Sequence, residues 1–545
     1  MTKREKGYTI IFLLLLSSVL YSQERPNIII VMADDMGYSD LGCYGSEIQT
    51  PNIDKLAFEG IRLTHFYNAV RCCPSRASLL TGLYPHQAGI GEMVKDKGLP
   101  GYRGFINRNA VTLAEILSLD GYHTIISGKW HVGKHEDALP MKRGFHKQYG
   151  SSNSTRHYFG VTSRSDLIID GSPIEIQGEW IEAGKIKYKL LKNEDGSQWY
   201  ATDAYTDHAI QFIKELREED KKKPFFLYLA YTAPHWPLHA FEQDVKKYEG
   251  KYMVGWDSIR RYRYKKLIEL GIIEEKWILS EPNELVKDWD KLDNQSKIYY
   301  DRMMAVYAAM IDRMDQNIGK LIESLKETDD EDNTIILFFS DNGGSHETMS
   351  KGKEGVPIGY ADSYKGYEHS WANVSNTPFR WFKHWTHEGG SSSPFIAWYP
   401  KLIKAGQIDH QVAHIVDIMA TACELSGINY PSEYNGNQII PTEGLSMVPI
   451  FKGETRKGHE FLCWEHQGNR AVRKGDWKIV SLFNKQAPDG GNWELYNIKE
   501  DRSEMDNLAE KYPEKVKAMV QIYNDWSLRC NIVPYKELKK TSIKK

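Results

Sequence analysis

A chain of 545 residues with 41% hydrophobic content is long enough to bury at least one large core. Its 70 basic and 73 acidic residues leave a formal charge of −3, and no long run of one sign precedes the Lys-rich last residues, so the balance gives no support to a nucleic-acid or anionic-membrane partner. Six scattered cysteines (Cys43, Cys72, Cys73, Cys423, Cys463, Cys530) exclude a dense disulfide framework and lack the repeated CxxC spacing of a zinc site, although one pair remains free to join in an oxidising compartment.

Residues 1–22 combine a basic start (Lys3, Arg4, Lys6), an apolar stretch from Ile10 to Leu16 and a small-residue exit at Ser17, Ser18 and Ser22. This reads as a cleavable export signal, because its apolar core is well short of the roughly 20 residues a spanning helix needs. No cysteine stands at the exit to carry a lipid, and no later segment is long and apolar enough to span a bilayer. The expected address is the periplasm or the exterior, without integral membrane association. Asn153-Ser-Thr155 would accept a glycan in a eukaryotic host.

Asn27 to Met32 is a continuous apolar run of the kind that fills a strand buried on both faces, and similar runs recur at Tyr122–Ser127, Phe225–Ala230 and Thr334–Ser340. Between them lie helical patterns. The clearest spans Asp301 to Thr328, where Val306, Met310, Met314, Ile318, Leu321 and Leu325 recur at intervals of three and four. Strands alternating with helices predict an α/β fold, a mostly parallel sheet covered by helices on both sides. The segments at about 151–198 and 248–297 break this rhythm and are read as insertions, the first bearing small strands and the second partly helical. The catalytic unit is expected over 23–456. From about residue 457 to 545, short strands (Asn469–Val480, Trp493–Ile498) and a helix (Pro513–Arg529) predict a smaller α+β subdomain.

Each buried run ends in polar residues: Asp34-Asp35, Lys129 with His131, His235, and Asp341-Asn342. In parallel sheets the ligand site lies beyond the carboxyl ends of the strands, so these residues should converge. A lone Asp-Asp after a strand is more often a turn or a helix cap. Two such carboxylate sites form an all-oxygen set suited to a hard cation such as Ca2+ or Mg2+. Cys72 precedes Pro74 and an Ala77–Leu80 helical stretch, which puts it at a helix N-terminus that favours anions, with Arg76 one turn on.

Cys72-x-Pro-Ser-Arg76 followed by Leu79-Leu-Thr-Gly82 resembles the signature of type I, arylsulfatase-like sulfatases of the alkaline phosphatase superfamily. The resemblance extends over Asn27–Gly37, Gly128-Lys-Trp-His-Val-Gly133, Ala233-Pro-His235, Asp341-Asn-Gly-Gly344, Pro378–Pro394 with Glu388-Gly-Gly390, and, in the tail, Arg473–Lys478 and Glu494–Asn497. It implies a large mixed, mostly parallel sheet between helices, with a C-terminal subdomain containing a short antiparallel sheet. It also implies that Cys72 is oxidised to Cα-formylglycine, by a formylglycine-generating or an anaerobic sulfatase-maturating enzyme, and that one Ca2+ is held by Asp34, Asp35, Asp341, Asn342 and the modified Cys72. Arg76, Lys129 and Lys383 would supply positive charge; His131 would hydrogen-bond the aldehyde hydrate and His235 would protonate the leaving alcohol. The Lys383 match rests on its distance from Glu388-Gly-Gly390, with Arg380 as an alternative cation. Ser391-Ser-Ser393 departs from the hydrophobic residue and Arg found there in many relatives.

Under that resemblance one hydroxyl of the hydrated aldehyde displaces the alcohol from sulfur, and the second expels sulfate by re-forming the aldehyde. The substrate is expected to be a sulfated carbohydrate or an aryl sulfate. The rivals are a phosphatase, phosphodiesterase or phosphonate hydrolase of the same superfamily, and a catalytically silent glycan-binding protein. Among the other rings, His86, His123, His384 and His387 are assigned structural roles, and Trp236 beside His235 is the candidate sugar-stacking surface.

Overall fold

The computed structural model describes residues 25–153, 157–487 and 490–541. The expected export signal, the Ser154-Thr155 part of the glycan acceptor sequence and the end of the Lys-rich tail lie outside these residues. Among the described residues no helix is long and apolar enough to cross a membrane.

All four apolar runs are strands: Asn27–Asp34, His123–Lys129, Phe225–Pro234 and Thr334–Ser340. They lie side by side and parallel in an 11-stranded sheet, with Asn27–Asp34 between Thr334–Ser340 and Phe225–Pro234, then His123–Lys129 and Lys147–Ser151 beyond. Alternate residues of the first strand face opposite cores. Ile29, Val31 and Ala33 pack with the long helix Asn294–Glu327, whereas Ile28, Ile30 and Met32 pack with the Cys72–Thr81 helix. A strand wetted on neither face needs apolar side chains at every position, each worth roughly 1.5–3 kcal/mol when fully buried.

Two strands without a clean apolar run, Ser392–Trp398 and Ile61–Tyr67, with the short Gln407–Asp409 and Ala413–His414 beside the latter, complete the other side of the sheet. Ser392–Trp398 is antiparallel to both Thr334–Ser340 and Ile61–Tyr67, which makes the sheet mixed. The long helix begins seven residues before the apolar stripe predicts, at Asn294, because the Asp293 side chain accepts a hydrogen bond from Ser296 N (2.7 Å) and caps it. It therefore takes the last residues of the expected 248–297 insertion. In the rest of that segment the Trp256–Glu269 helix is pinned by edge-to-face packing of Trp256 against Trp289 and Trp371. The 151–198 segment forms a small antiparallel sheet of Gly160–Thr162, Ile186–Leu190 and Ile181–Ala183.

Near the C-terminus, Leu462–His466, Asn469–Lys474, Trp477–Ser481 and Glu494–Asn497 form a four-stranded antiparallel sheet, with the Pro513–Arg529 helix against it. A buried ion network ties it to the main sheet. Glu388 accepts from Lys478 Nζ (2.8 Å), Arg502 Nε (2.9 Å) and the Tyr67 hydroxyl (3.0 Å), and Lys478 also meets Glu504 at 3.0 Å. Burial alone would raise the Glu388 carboxyl, but Lys478, then Arg502 and Arg473, outweigh it and hold it well below the ordinary carboxylate range.

A carboxyl depressed in the folded state contributes stability above its unfolded pKa and loses it as pH falls through the folded value. Glu388→Gln should therefore cost roughly 3–5 kcal/mol in urea unfolding at neutral pH, and the loss should shrink on strong acidification. An unfolding midpoint unchanged at neutral pH would contradict this.

Candidate active site

The register of the parallel strands brings the expected residues to one level. Ala33 pairs with Ser340, so Asp34-Asp35 and Asp341-Asn342 leave adjacent strands together. Ala230 pairs with Gly128, so Lys129 leaves the next strand but one beside them. Gly128 has φ +120°, and a Cβ there would stand 2.0 Å from the Ala230 carbonyl oxygen; only glycine permits this approach. Asp35 and His131, together with Val70 just ahead of Cys72, occupy the left-handed region with φ of 68°, 57° and 57°. Such strain, held by surrounding structure, is characteristic of functional sites.

Opposed charges are packed here away from bulk solvent. Lys129 Nζ donates to Asp34 Oδ2 at 2.5 Å and Arg76 Nη2 to Asp341 Oδ2 at 3.2 Å, with all four side chains fully buried. Lys383 Nζ donates to Asp35 Oδ2 (2.7 Å), and His235 Nε2 lies 3.5 Å from the same oxygen. Asn342 Nδ2 donates to Asp35 Oδ1 (2.8 Å), and Asp35 N to Asp341 Oδ1 (3.2 Å). Burial would raise Asp34, yet Lys129, His235 and Arg76 hold it well below the ordinary range. Asp341 is pushed well up by burial and then by the charge of Asp34.

Cys72 opens the Cys72–Thr81 helix. Arg71 is its extended N-cap, Pro74 sits in the first turn, and Gly82, at φ +67°, closes it with its N–H on Ser78 O. Every side chain of the helix is buried. A hydrogen bond from Cys73, then the positive Lys129 and a hydrogen bond from His131, hold the Cys72 thiol well below its usual pKa against burial. His131 Nε2 is 3.3 Å from Cys73 Sγ, and burial followed by Lys129 lowers His131 to about 4, so it is neutral at neutral pH.

The structure thus brings together Asp34, Asp35, Cys72, Arg76, Lys129, His131, His235, Asp341, Asn342 and Lys383. Arg380, the alternative to Lys383, points elsewhere and donates to the Tyr496 hydroxyl and Glu504 O. The four other histidines have structural partners: His86 with Glu465 (2.9 Å), His384 with Asn469 (3.1 Å), His387 with Glu494 (3.4 Å), and His123 stacked on His146.

Three site residues escape sequence reasoning. Cys73 reads as the neighbour of the motif cysteine, but its thiol touches His131. Glu347 accepts from Lys383 (3.1 Å), Arg71 (3.1 Å) and Trp236 Nε1 (2.7 Å), and so joins the cations to the rim of the site. Neither Glu347 nor Arg71 follows an apolar run, and no pattern in the sequence marks either.

A family model described as "Sulfatase" matches residues 26–428, and one described as "N-sulphoglucosamine sulphohydrolase, C-terminal" matches 378–525. The chain belongs to the sulfatase family. It is 33% identical to an uncharacterized sulfatase of Schizosaccharomyces pombe over 94% of this chain and 95% of that protein. It is also 33% identical to the arylsulfatase of Klebsiella aerogenes, over 80% of this chain and 94% of that one. The crystal structure of Ps i-CgsB in complex with k-i-k-neocarrahexaose superposes with a TM-score of 0.65 at 27% identity, covering 92% of this chain and 93% of that one. The protein is accordingly a sulfuric ester hydrolase with the large mixed sheet and C-terminal antiparallel sheet of that family.

The donor set of this sulfatase fits a hard cation. Asp34 Oδ1 and Asn342 Oδ1 are buried acceptors without a hydrogen-bond partner, and one donor atom each from Asp34, Asp35 and His235 lies within 4.8 Å of the others. Unpaired oxygens buried among carboxylates are costly unless a cation answers them. Calcium at 100 times its dissociation constant should therefore raise the unfolding free energy by about 2.7 kcal/mol. Thermal unfolding of Asp34→Asn or Asn342→Ala should respond far less; an equal rise in wild type and both variants would contradict the assignment.

Proposed function

We propose that the sulfatase is an exported, calcium-dependent enzyme that hydrolyses the sulfate ester of a sulfated carbohydrate through a formylglycine made from Cys72. The observation that carries this reading is the meeting of Cys72, at a helix N-terminus, with a partly unpaired oxygen set and three buried cations. The carbohydrate bound to the solved relative supports the substrate class, and the arylsulfatase relative supports sulfate-ester hydrolysis. The Ile10–Leu16 apolar stretch and the serines after it support export, with a mature chain beginning at Gln23 in the periplasm or outside the cell.

Calcium would supply charge to the sulfate oxygens, and the hydrated aldehyde would supply the attacking hydroxyl. Asp34, Asp35, Asp341 and Asn342 would hold the ion. Arg76, anchored on Asp341 Oδ2 and on the Lys129 carbonyl oxygen (3.0 Å), keeps a fixed positive charge beside residue 72. With Lys129 and Lys383 it stabilises charge on the sulfuryl oxygens in a dry site, where preorganised charge is most effective. His131, neutral at neutral pH, accepts a proton near residue 72. His235 Nδ1 faces the Trp236 carbonyl oxygen at 2.5 Å and must carry hydrogen, so the proton given to the departing oxygen is the second one of the imidazolium, on Nε2 beside Asp35 Oδ2, and the ring is left neutral with hydrogen on Nδ1. Cys72 is only 2% exposed, so a maturating enzyme reaches it most readily before the chain folds.

Protein co-expressed with a maturating enzyme should show a loss of about 18 Da at Cys72 and release sulfate; Cys72→Ala should be inactive. Conversion of Cys72 without cleavage of any sulfate ester in a broad panel would sink the proposal. His235→Ala should lower kcat for a sugar sulfate by about 10²–10⁴-fold, and much less for 4-nitrophenyl sulfate, whose leaving group needs little help. Equal losses on both substrates would remove His235 from the acid role.

A further inference from the structure

Beside the catalytic site lies a cleft of about 460 Å³ whose rim is set by three segments distant in sequence. Arg164 comes from the loop after Gly160–Thr162, Lys185 and Lys187 from the hairpin Ile181–Leu190, and Lys351 from the loop that follows Asp341–Gly344. The backbone fixes their meeting. Lys185 N donates to Lys351 O (2.7 Å), Ser163 N to Lys187 O (3.1 Å) and Lys351 N to Tyr364 O (3.0 Å). At the hairpin turn Gly184 has φ +62°, and a Cβ there would fall 2.2 Å from the Gly352 carbonyl oxygen, so the turn is docked too closely for any other residue.

Of the four cations only Lys187 has an acid within the cleft, Glu182 at 3.1 Å. Arg164, Lys185 and Lys351 have no ion-pair partner among the described residues, and all three are exposed. Like charges gathered from three segments repel one another, and a cleft lined by one sign of charge concentrates ions of the other. One wall of the cleft packs toward the catalytic centre. Tyr364, on its wall, packs edge-on against Trp236 with ring centres 6.0 Å apart, and Trp236 lies 4.7 Å from the His235 ring. Two ring contacts therefore link the wall of the cleft to the proposed general acid.

We infer that Arg164, Lys185 and Lys351 form an anion-binding subsite that takes a second negative group, a sulfate or a uronate carboxylate, on a sugar adjoining the one that is desulfated. The inference rests on the sulfatase reading and narrows its substrate to an anionic oligosaccharide. Trp236, half-buried with its Nε1 held on Glu347, presents the ring over which the connecting sugar passes.

The test uses the Cys72→Ala protein with calcium, which cannot turn over, and the same protein carrying Arg164→Ala, Lys185→Ala and Lys351→Ala. Titration calorimetry would compare a carrageenan tetrasaccharide (sulfate only), a chondroitin 6-sulfate tetrasaccharide (sulfate and carboxylate), a hyaluronan tetrasaccharide (carboxylate only) and 6-sulfated N-acetylgalactosamine. At least one tetrasaccharide should bind about tenfold more weakly to the triple variant, with a shallower salt dependence, while the monosaccharide binds both proteins alike. Loss on the carrageenan probe assigns the subsite to sulfate, and loss on hyaluronan assigns it to carboxylate. Equal binding of every tetrasaccharide to both proteins, or binding of none, overturns the inference. Hydrolysis of 4-nitrophenyl sulfate by protein without the Cys72→Ala change, in which Cys72 has been converted to formylglycine, reports on the sulfatase reading separately, and it should be unchanged by the three surface substitutions.

Discussion

Asp34, Asp35 and Asp341 are buried together at the ends of two adjacent parallel strands, and the surrounding architecture answers the cost of placing them there. Taking one carboxylate out of water costs several kcal/mol unless its charge is met at close range. Arg76 and Lys129 meet Asp341 and Asp34, Lys383 meets Asp35, and Asn342 turns its amide toward Asp35. Two acceptor oxygens are still unanswered, on Asp34 and Asn342, and they define where further positive charge is needed. The same packed charges that make the site expensive to fold make it effective, because a cation held in a dry cavity need not reorganise when an anionic sulfate arrives.

The sheet supplies the rigidity this demands. Its central strands are apolar on both faces and packed between two cores, so a slip in register would lift whole rows of side chains out of the packing that fits them. That register places Asp34, Lys129 and Asp341 at one height. The C-terminal sheet contributes at a distance. Lys478 and Arg502 converge on Glu388, at the start of the turn that leads into Ser392–Trp398, and Lys383 lies five residues upstream of it. A second buried charge cluster thus fixes the segment that carries a cation into the first.

Much of this is legible in the sequence because the strongest signals are local. Four apolar runs, each ending in chemistry-bearing residues, mark four adjacent strands and the end of the sheet that matters. Pro74 and Gly82 bracket the helix that begins at Cys72. What is not legible depends on partners far along the chain. Ile61–Tyr67 and Ser392–Trp398 escape notice because buried Arg62, His65, Ser392 and Ser393 interrupt their apolar pattern; Arg62, for one, donates from Nη1 to the Cys43 carbonyl oxygen. The long helix starts early because a cap, and not an apolar stripe, sets its end. Glu347, Arg71 and Cys73 acquire meaning only when Lys383, Trp236 and His131 are placed beside them.

The central claim, that the buried oxygen set is completed by a calcium ion next to an oxidised Cys72, is tested most directly by anomalous diffraction from crystals of the active enzyme grown with calcium. One anomalous peak is expected about 2.3–2.6 Å from oxygens of Asp34, Asp35, Asp341 and Asn342, with residue 72 lacking its sulfur. Fully active crystals with no peak there, or with an intact Cys72 thiol, would contradict it.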